Sequence, residues 1–232
     1  MIIDTDADID EAVVGVVYSA FGFQGQKCSA CSRVIVLDGI YDRFLERLVE
    51  TTASLKQGPA DDPDVYLGPV VDEAAQRKIL AIVDRAKSQS KLIYQGTPPS
   101  DGHFMPPTVF SDVDPNSERA QAELFGPVLA VIRARDLSHA LQIANGTDYA
   151  LTGGLYSRSP ANIQRVRNEF LVGNLYINRG ITGALVQRHP FGGFKLSGVG
   201  SKAGGPDYLL QFVDPVVITE NTMRRGFVPT EE

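Results

Sequence analysis

The sequence predicts an α/β fold, with a mostly parallel, twisted sheet and helices on both faces. Three observations predict it. Short β-branched runs alternate along the chain with longer stretches whose apolar residues recur at helical spacing. The 232 residues suffice for one large domain, and 43% are hydrophobic against 22% charged, as in an ordinary globular core. No internal repeat or low-complexity linker interrupts the alternation.

The elements follow in order. Asp8, with Glu11 three residues on and then Val13, Val14, Val17 and Ala20, predicts a helix capped at Asp8. Gly15 inside it costs about 1 kcal/mol relative to alanine. Residues 34–37 read as a buried strand. Residues 41–55 place Phe44, Leu45, Leu48 and Val49 on one helical face, and residues 72–88 do the same with Ile79, Ile82, Val83 and Ala86. Residues 92–94, 128–132, 154–156 and 174–177 read as further strands. Residues 137–144 and 160–171 read as helices, the second with Ser159 as N-cap and Pro160 at its first position. Residues 212–219 look strand-like but contain Pro215, which suits an edge or an arm reaching a partner.

Composition narrows the function classes. A formal net charge of −6 gives no reason to expect nucleic-acid binding. No apolar run approaches the roughly 20 residues of a membrane span. The start, Met1-Ile2-Ile3-Asp4, has no basic region of the kind that opens a signal peptide. Two cysteines three positions apart are no disulfide framework, and they point to a reducing, cytoplasmic setting.

Several patterns fail on inspection. Asp4, Asp6 and Asp8 alternate like a calcium loop, but the sixth loop position is Ile9 and the twelfth Gly15, where glycine and glutamate are needed. His103, His139 and His189 lack metal-ligand spacing, so no metal site is expected. Gly198, Gly200 and Gly204 have the wrong spacing for a dinucleotide loop, and no strand leads into them.

Three motifs carry chemistry. In Gly25-Gln26-Lys27-Cys28-Ser29-Ala30-Cys31-Ser32-Arg33, a thiol lies between a glycine turn and small residues, open to act as a thiolate nucleophile. Gln121-Ala122-Glu123-Leu124-Phe125-Gly126-Pro127 is the second, and its Glu123 carboxylate could accept from paired hydroxyls. The third runs from Asn178-Arg179-Gly180-Ile181-Thr182-Gly183-Ala184 to Pro190-Phe191-Gly192-Gly193, followed by Ser197-Gly198.

Together these motifs resemble the aldehyde dehydrogenase superfamily, and within it the family that oxidises L-glutamate γ-semialdehyde, the 1-pyrroline-5-carboxylate dehydrogenases. The resemblance implies Cys28 as catalytic nucleophile and NAD as cofactor, with Glu123 at the nicotinamide ribose and Phe125 near the nicotinamide. It further implies that Ser29, Gly183 and Ala184 receive the substrate's α-carboxylate and that Phe191 packs on its aliphatic part. Residues 1–211 would form the catalytic domain and 212–232 an oligomerisation arm joining copies of the chain. The family's nucleotide-binding domain, its water-activating glutamate and an oxyanion-hole asparagine would precede this region, leaving these residues inactive alone. Two alternatives stay open: an aldehyde dehydrogenase of other specificity, and a thiol redox protein using Cys28-x-x-Cys31.

Overall fold

The computed structural model describes residues 1–222. In chain order the elements are β1 (Ile2–Ile3), α1 (Ile9–Phe21), β2 (Arg33–Leu37), α2 (Tyr41–Ala53), α3 (Glu73–Lys87), β3 (Lys91–Gln95) and β4 (Thr108–Ser111). There follow α4 (Glu118–Gln121), β5 (Val128–Ala134), α5 (Leu137–Asn145), β6 (Tyr149–Ala150), β7 (Thr152–Tyr156), α6 (Pro160–Glu169), β8 (Asn174–Ile177) and β9 (Phe194–Lys195). Seven strands form one sheet in the order β3-β4-β5-β2-β1-β7-β8, and β6 pairs with β9 apart from it. Within the large sheet every pairing is parallel except β3 with β4.

The pleat explains the layering, because successive side chains of a strand point to opposite faces. Ile2, Ile35, Leu37, Ala130 and Ile132 enter a core with Ile79, Ile82 and Val83 of α3, Leu141 of α5 and Val166 of α6. Their neighbours Ile3, Val34, Val36, Leu129 and Val131 enter a second core with Val13, Val16 and Val17 of α1 and with Phe44 and Leu48 of α2. Two strand faces and two helical layers make the expected arrangement. Asp8, Asp72 and Ser159 each cap their helix by accepting a backbone N–H, from Glu11, Ala75 and Asn162. Gly15 has a packing reason: a Cβ there would run into the Tyr156 hydroxyl.

Four strands were not foreseen, β1, β4, β6 and β9. β1 has only two residues, yet it lies between β2 and β7, with Ile2 opposite both Ile35 and Leu155. β4 follows Pro106-Pro107 directly, which masks it in the sequence. The strand reading of 212–219 is corrected. Leu209–Phe212 is a short 3-10 turn, and the described residues after it join no strand. Val216, Val217 and Ile218 are more than three-quarters exposed and pair with no strand among the described residues. The rest of the 212–232 arm lies outside the described residues. No described helix is long and apolar enough to cross a membrane.

Candidate active site

The segments that lead into the parallel strands converge on one pocket of about 330 Å³. Cys28 precedes β2, Phe125 precedes β5, Leu151 precedes β7 and Val172 precedes β8, and all four line it. The pocket therefore opens at the amino ends of the strands. Dinucleotide crevices of open α/β sheets lie at the opposite, carboxyl edge.

Cys28 is presented by a strained turn. After α1 the chain passes through Phe23, Gln24 and Gly25 with φ of 54°, 56° and 66° in succession. Left-handed backbone costs a non-glycine residue about 1–2 kcal/mol, so Phe23 and Gln24 must be held there from outside. Gly25 has no alternative, since a Cβ would strike the Gly126 carbonyl and come within 2.8 Å of the Ala20 carbonyl. The two motif glycines thus abut, which places the Cys28 turn against the Glu123–Phe125 loop. Cys28 is exposed. Cys31 also reaches the pocket wall but is buried, with its N–H on the Ser19 carbonyl at 2.9 Å and its thiol donating to the Arg33 carbonyl at 3.4 Å. Burial pushes the Cys31 thiol pKa up, so it resists forming a thiolate.

The opposite wall is anchored through α4. Arg119, only 3% exposed, lies over the Phe110 ring at 4.1 Å and donates to Ser90 Oγ at 3.0 Å. It has no carboxylate partner among the described residues, its Nε and Nη1 make no hydrogen bond, and burial lowers its pKa to about 10. Gln121 donates to the Pro115 and Gly146 carbonyls at 2.6 and 2.8 Å. Beyond this anchor Leu124 turns into the core while Glu123 and Phe125, on either side of it, stay exposed at the pocket. Phe125 adopts φ 59°, which leaves its ring 41% exposed. Gly126 then packs against Ile79 of α3, whose Cδ1 lies 2.6 Å from where a Cβ would be. An acceptor carboxylate and an exposed aromatic ring beside a thiol suit the ribose and nicotinamide ends of NAD, so these residues fit that cofactor.

The remaining residues named from sequence, Ser29, Gly183, Ala184 and Phe191, are not among the pocket's lining. Ser29 is buried next to Cys28, and its carbonyl accepts from Thr152 Oγ1 at 3.5 Å. Gly183 has φ 81° with open space where a Cβ would stand, and Ala184 is half-buried. Phe191 is half-buried and pairs its backbone with Ala203. From the same loop Ile181 does line the pocket. Sequence reading passed over Arg119 as an anchor and Leu151, Thr152 and Val172 as wall. None sits in a recognisable motif, and only the strand order gathers them.

The profile of the Aldehyde dehydrogenase family matches residues 1–218. A 1-pyrroline-5-carboxylate dehydrogenase of Geobacillus sp. (strain WCH70) is 49% identical over 221 residues, covering 95% of this chain and 43% of that protein. One of Bacillus subtilis (strain 168) is 50% identical over 211 residues, covering 90% and 41%. The chain therefore spans about two fifths of the length of the curated relatives it matches. Among solved structures, proline utilization A from Bdellovibrio bacteriovorus, inactivated by N-propargylglycine, superposes with TM-score 0.94 at 63% identity, covering 99% of this chain and 24% of that one. The Thermus 1-pyrroline-5-carboxylate dehydrogenase with bound NAD superposes with TM-score 0.89 at 50% identity, covering 92% and 41%. A profile match over nearly the whole length, on this fold and with this thiol pocket, means that the chain belongs to the aldehyde dehydrogenase family.

Proposed function

We propose that the chain carries the nucleophile and part of the cofactor cradle of an NAD-dependent dehydrogenase that oxidises L-glutamate γ-semialdehyde to glutamate in proline catabolism. The observation that carries this reading is the pairing of an exposed Cys28 with Glu123 and Phe125 on one pocket, while Cys31 is buried. The substrate is suggested by relatives near 50% identity that bear the 1-pyrroline-5-carboxylate dehydrogenase name.

In this reading the Cys28 thiolate attacks the aldehyde carbon, and backbone N–H groups of its turn receive the developing oxyanion. NAD, held by Glu123 and Phe125, supplies the hydride acceptor when bound. Cys28 carries the acyl group as a thioester until water releases it. Among the described lining residues Glu123 is the only carboxylate, and this reading gives it to the cofactor. Ser29, Gly183 and Ala184 would receive the α-carboxylate, and Phe191 would pack on the methylene chain. Gly183 suits the task, because a backbone N–H can approach a carboxylate closely where no side chain intervenes.

We also place the protein in the cytoplasm and read its exposed tail, with Leu209, Leu210, Phe212 and Val216 to Ile218, as the seat of a second copy of the chain. The test of the activity is NADH formation by the full-length protein with glutamate semialdehyde, before and after Cys28→Ser. The proposal requires turnover that Cys28→Ser abolishes. Undiminished turnover in that variant would refute it.

A further inference from the structure

The turn before Cys28 cannot hold itself. Phe23, Gln24 and Gly25 are consecutively left-handed, a conformation that persists only where the surroundings impose it. Inside the turn, Gln26 N–H donates to the Phe23 carbonyl at 3.0 Å. The outside support comes from a segment more than 40 residues later. Gln26 Oε1 accepts the Val71 N–H at 3.1 Å across 45 positions. Oriented to satisfy both of its ends, the Gln24 amide accepts the Gly68 N–H at 2.7 Å and donates to the Phe23 carbonyl at 2.9 Å. Glycine at 68 leaves room for this approach, since in that orientation the Gln24 amide oxygen lies 2.6 Å from where a Cβ would stand.

The supporting segment is itself fixed. Leu67 is fully buried, Val70 is 3% exposed, and Val70 N–H donates to the His103 carbonyl at 2.9 Å. Asp72 then caps α3 through the Ala75 N–H at 2.7 Å. An anchored strap thus offers two backbone donors, at Gly68 and Val71, to the two glutamines that flank Gly25.

We propose that Gln26 is a positioning residue for Cys28. By accepting the Val71 N–H two residues ahead of the thiol, it sets the direction in which Sγ meets a carbonyl carbon in the pocket. The inference rests on the reading of Cys28 as nucleophile. Gln26 touches no reacting atom. The Gly25–Gly126 abutment and the Cys31 N–H bond to Ser19 hold the segment on either side.

The test compares two reactions of Cys28 in the 232-residue chain, neither of which needs a cofactor. With p-nitrophenyl acetate, the thiolate attacks the ester carbon; an S–C bond forms, the C–O bond breaks, and p-nitrophenolate leaves behind an acetyl thioester. Iodoacetamide alkylates the same sulfur without needing carbonyl alignment. Small misplacements cost carbonyl reactions up to about 100-fold, so Gln26→Leu should slow acylation about tenfold or more and leave alkylation within about twofold. Gln26→Glu, which keeps the acceptor, should restore acylation. Val71→Pro deletes the donor and should reproduce the loss with Gln26 intact. Equal slowing of both reactions, unchanged acylation in Gln26→Leu, or failure of Gln26→Glu to restore it overturns the proposal. Acylation that persists in Cys28→Ser overturns the nucleophile reading, and the proposal with it.

Discussion

Gly25→Ala isolates the contact that joins the nucleophile turn to the cofactor loop. At φ 66° an alanine incurs the left-handed penalty of about 1–2 kcal/mol. Its Cβ also meets the Gly126 carbonyl and lies 2.8 Å from the Ala20 carbonyl, and both are backbone atoms that cannot swing aside. Forcing such a shift costs a further 1–3 kcal/mol, roughly. The expected loss is about 2–5 kcal/mol, read from urea unfolding by the shift in midpoint at constant slope. Gly183→Ala is the control. It carries φ 81° with nothing within 4 Å of the new Cβ, so only the backbone penalty of about 1–2 kcal/mol applies. Equal losses in the two variants would refute the reasoning, because the steric half of the argument would then have no effect.

Other outcomes follow from particular residues. Brief iodoacetamide treatment of the folded chain should label Cys28 far ahead of Cys31, read by peptide mass spectrometry; preferential labelling of Cys31 would remove the basis for the nucleophile. Ala184→Leu in the full-length protein should lower kcat/KM for glutamate semialdehyde far more than for a plain aliphatic aldehyde, since the larger side chain blocks a carboxylate's approach to the backbone donors; an unaltered preference would dismiss the carboxylate anchor. Arg119→Met should be near-neutral in urea unfolding, because it removes a buried charge that lacks a carboxylate, whereas Arg119→Ala should lose about 2–4 kcal/mol of packing. The Asp136 carboxyl is held below its usual 3.8 chiefly by the His139 N–H it accepts. Its folded value lies below the unfolded one, so this stabilisation is present above pH 3.8 and lost as pH falls through the folded pKa. Asp136→Asn should therefore flatten the acid limb of a stability–pH curve; an unchanged limb would contradict the cap.

Much of the fold was legible because its signals are local. Helices announced themselves through Asp8 and Ser159 as caps and through apolar faces such as Phe44 and Leu48. β1, β6 and β9 escaped because two residues hold no period, and β4 because two prolines lead straight into it; Ile2 is a strand residue only by virtue of Ile35 and Leu155 beside it. The tail misled for the converse reason, since Val216 to Ile218 have strand-like chemistry but pair with no strand among the described residues. At the site, Cys28, Glu123 and Phe125 could be picked out because their motifs are contiguous. The abutment of Gly25 on Gly126, the burial of Arg119 and the strap at Gly68 and Val71 join residues far apart in sequence, and only the folded chain brings them together.

The account centres on Cys28 as the atom that carries the acyl group. Rapid acid quenching of the full-length protein during turnover of NAD and glutamate semialdehyde, followed by peptide mass spectrometry, examines this directly. The account predicts a glutamyl thioester on the peptide bearing Cys28, absent when NAD is withheld. An adduct on Cys31, or turnover with no adduct on either cysteine at any quench time, would contradict it.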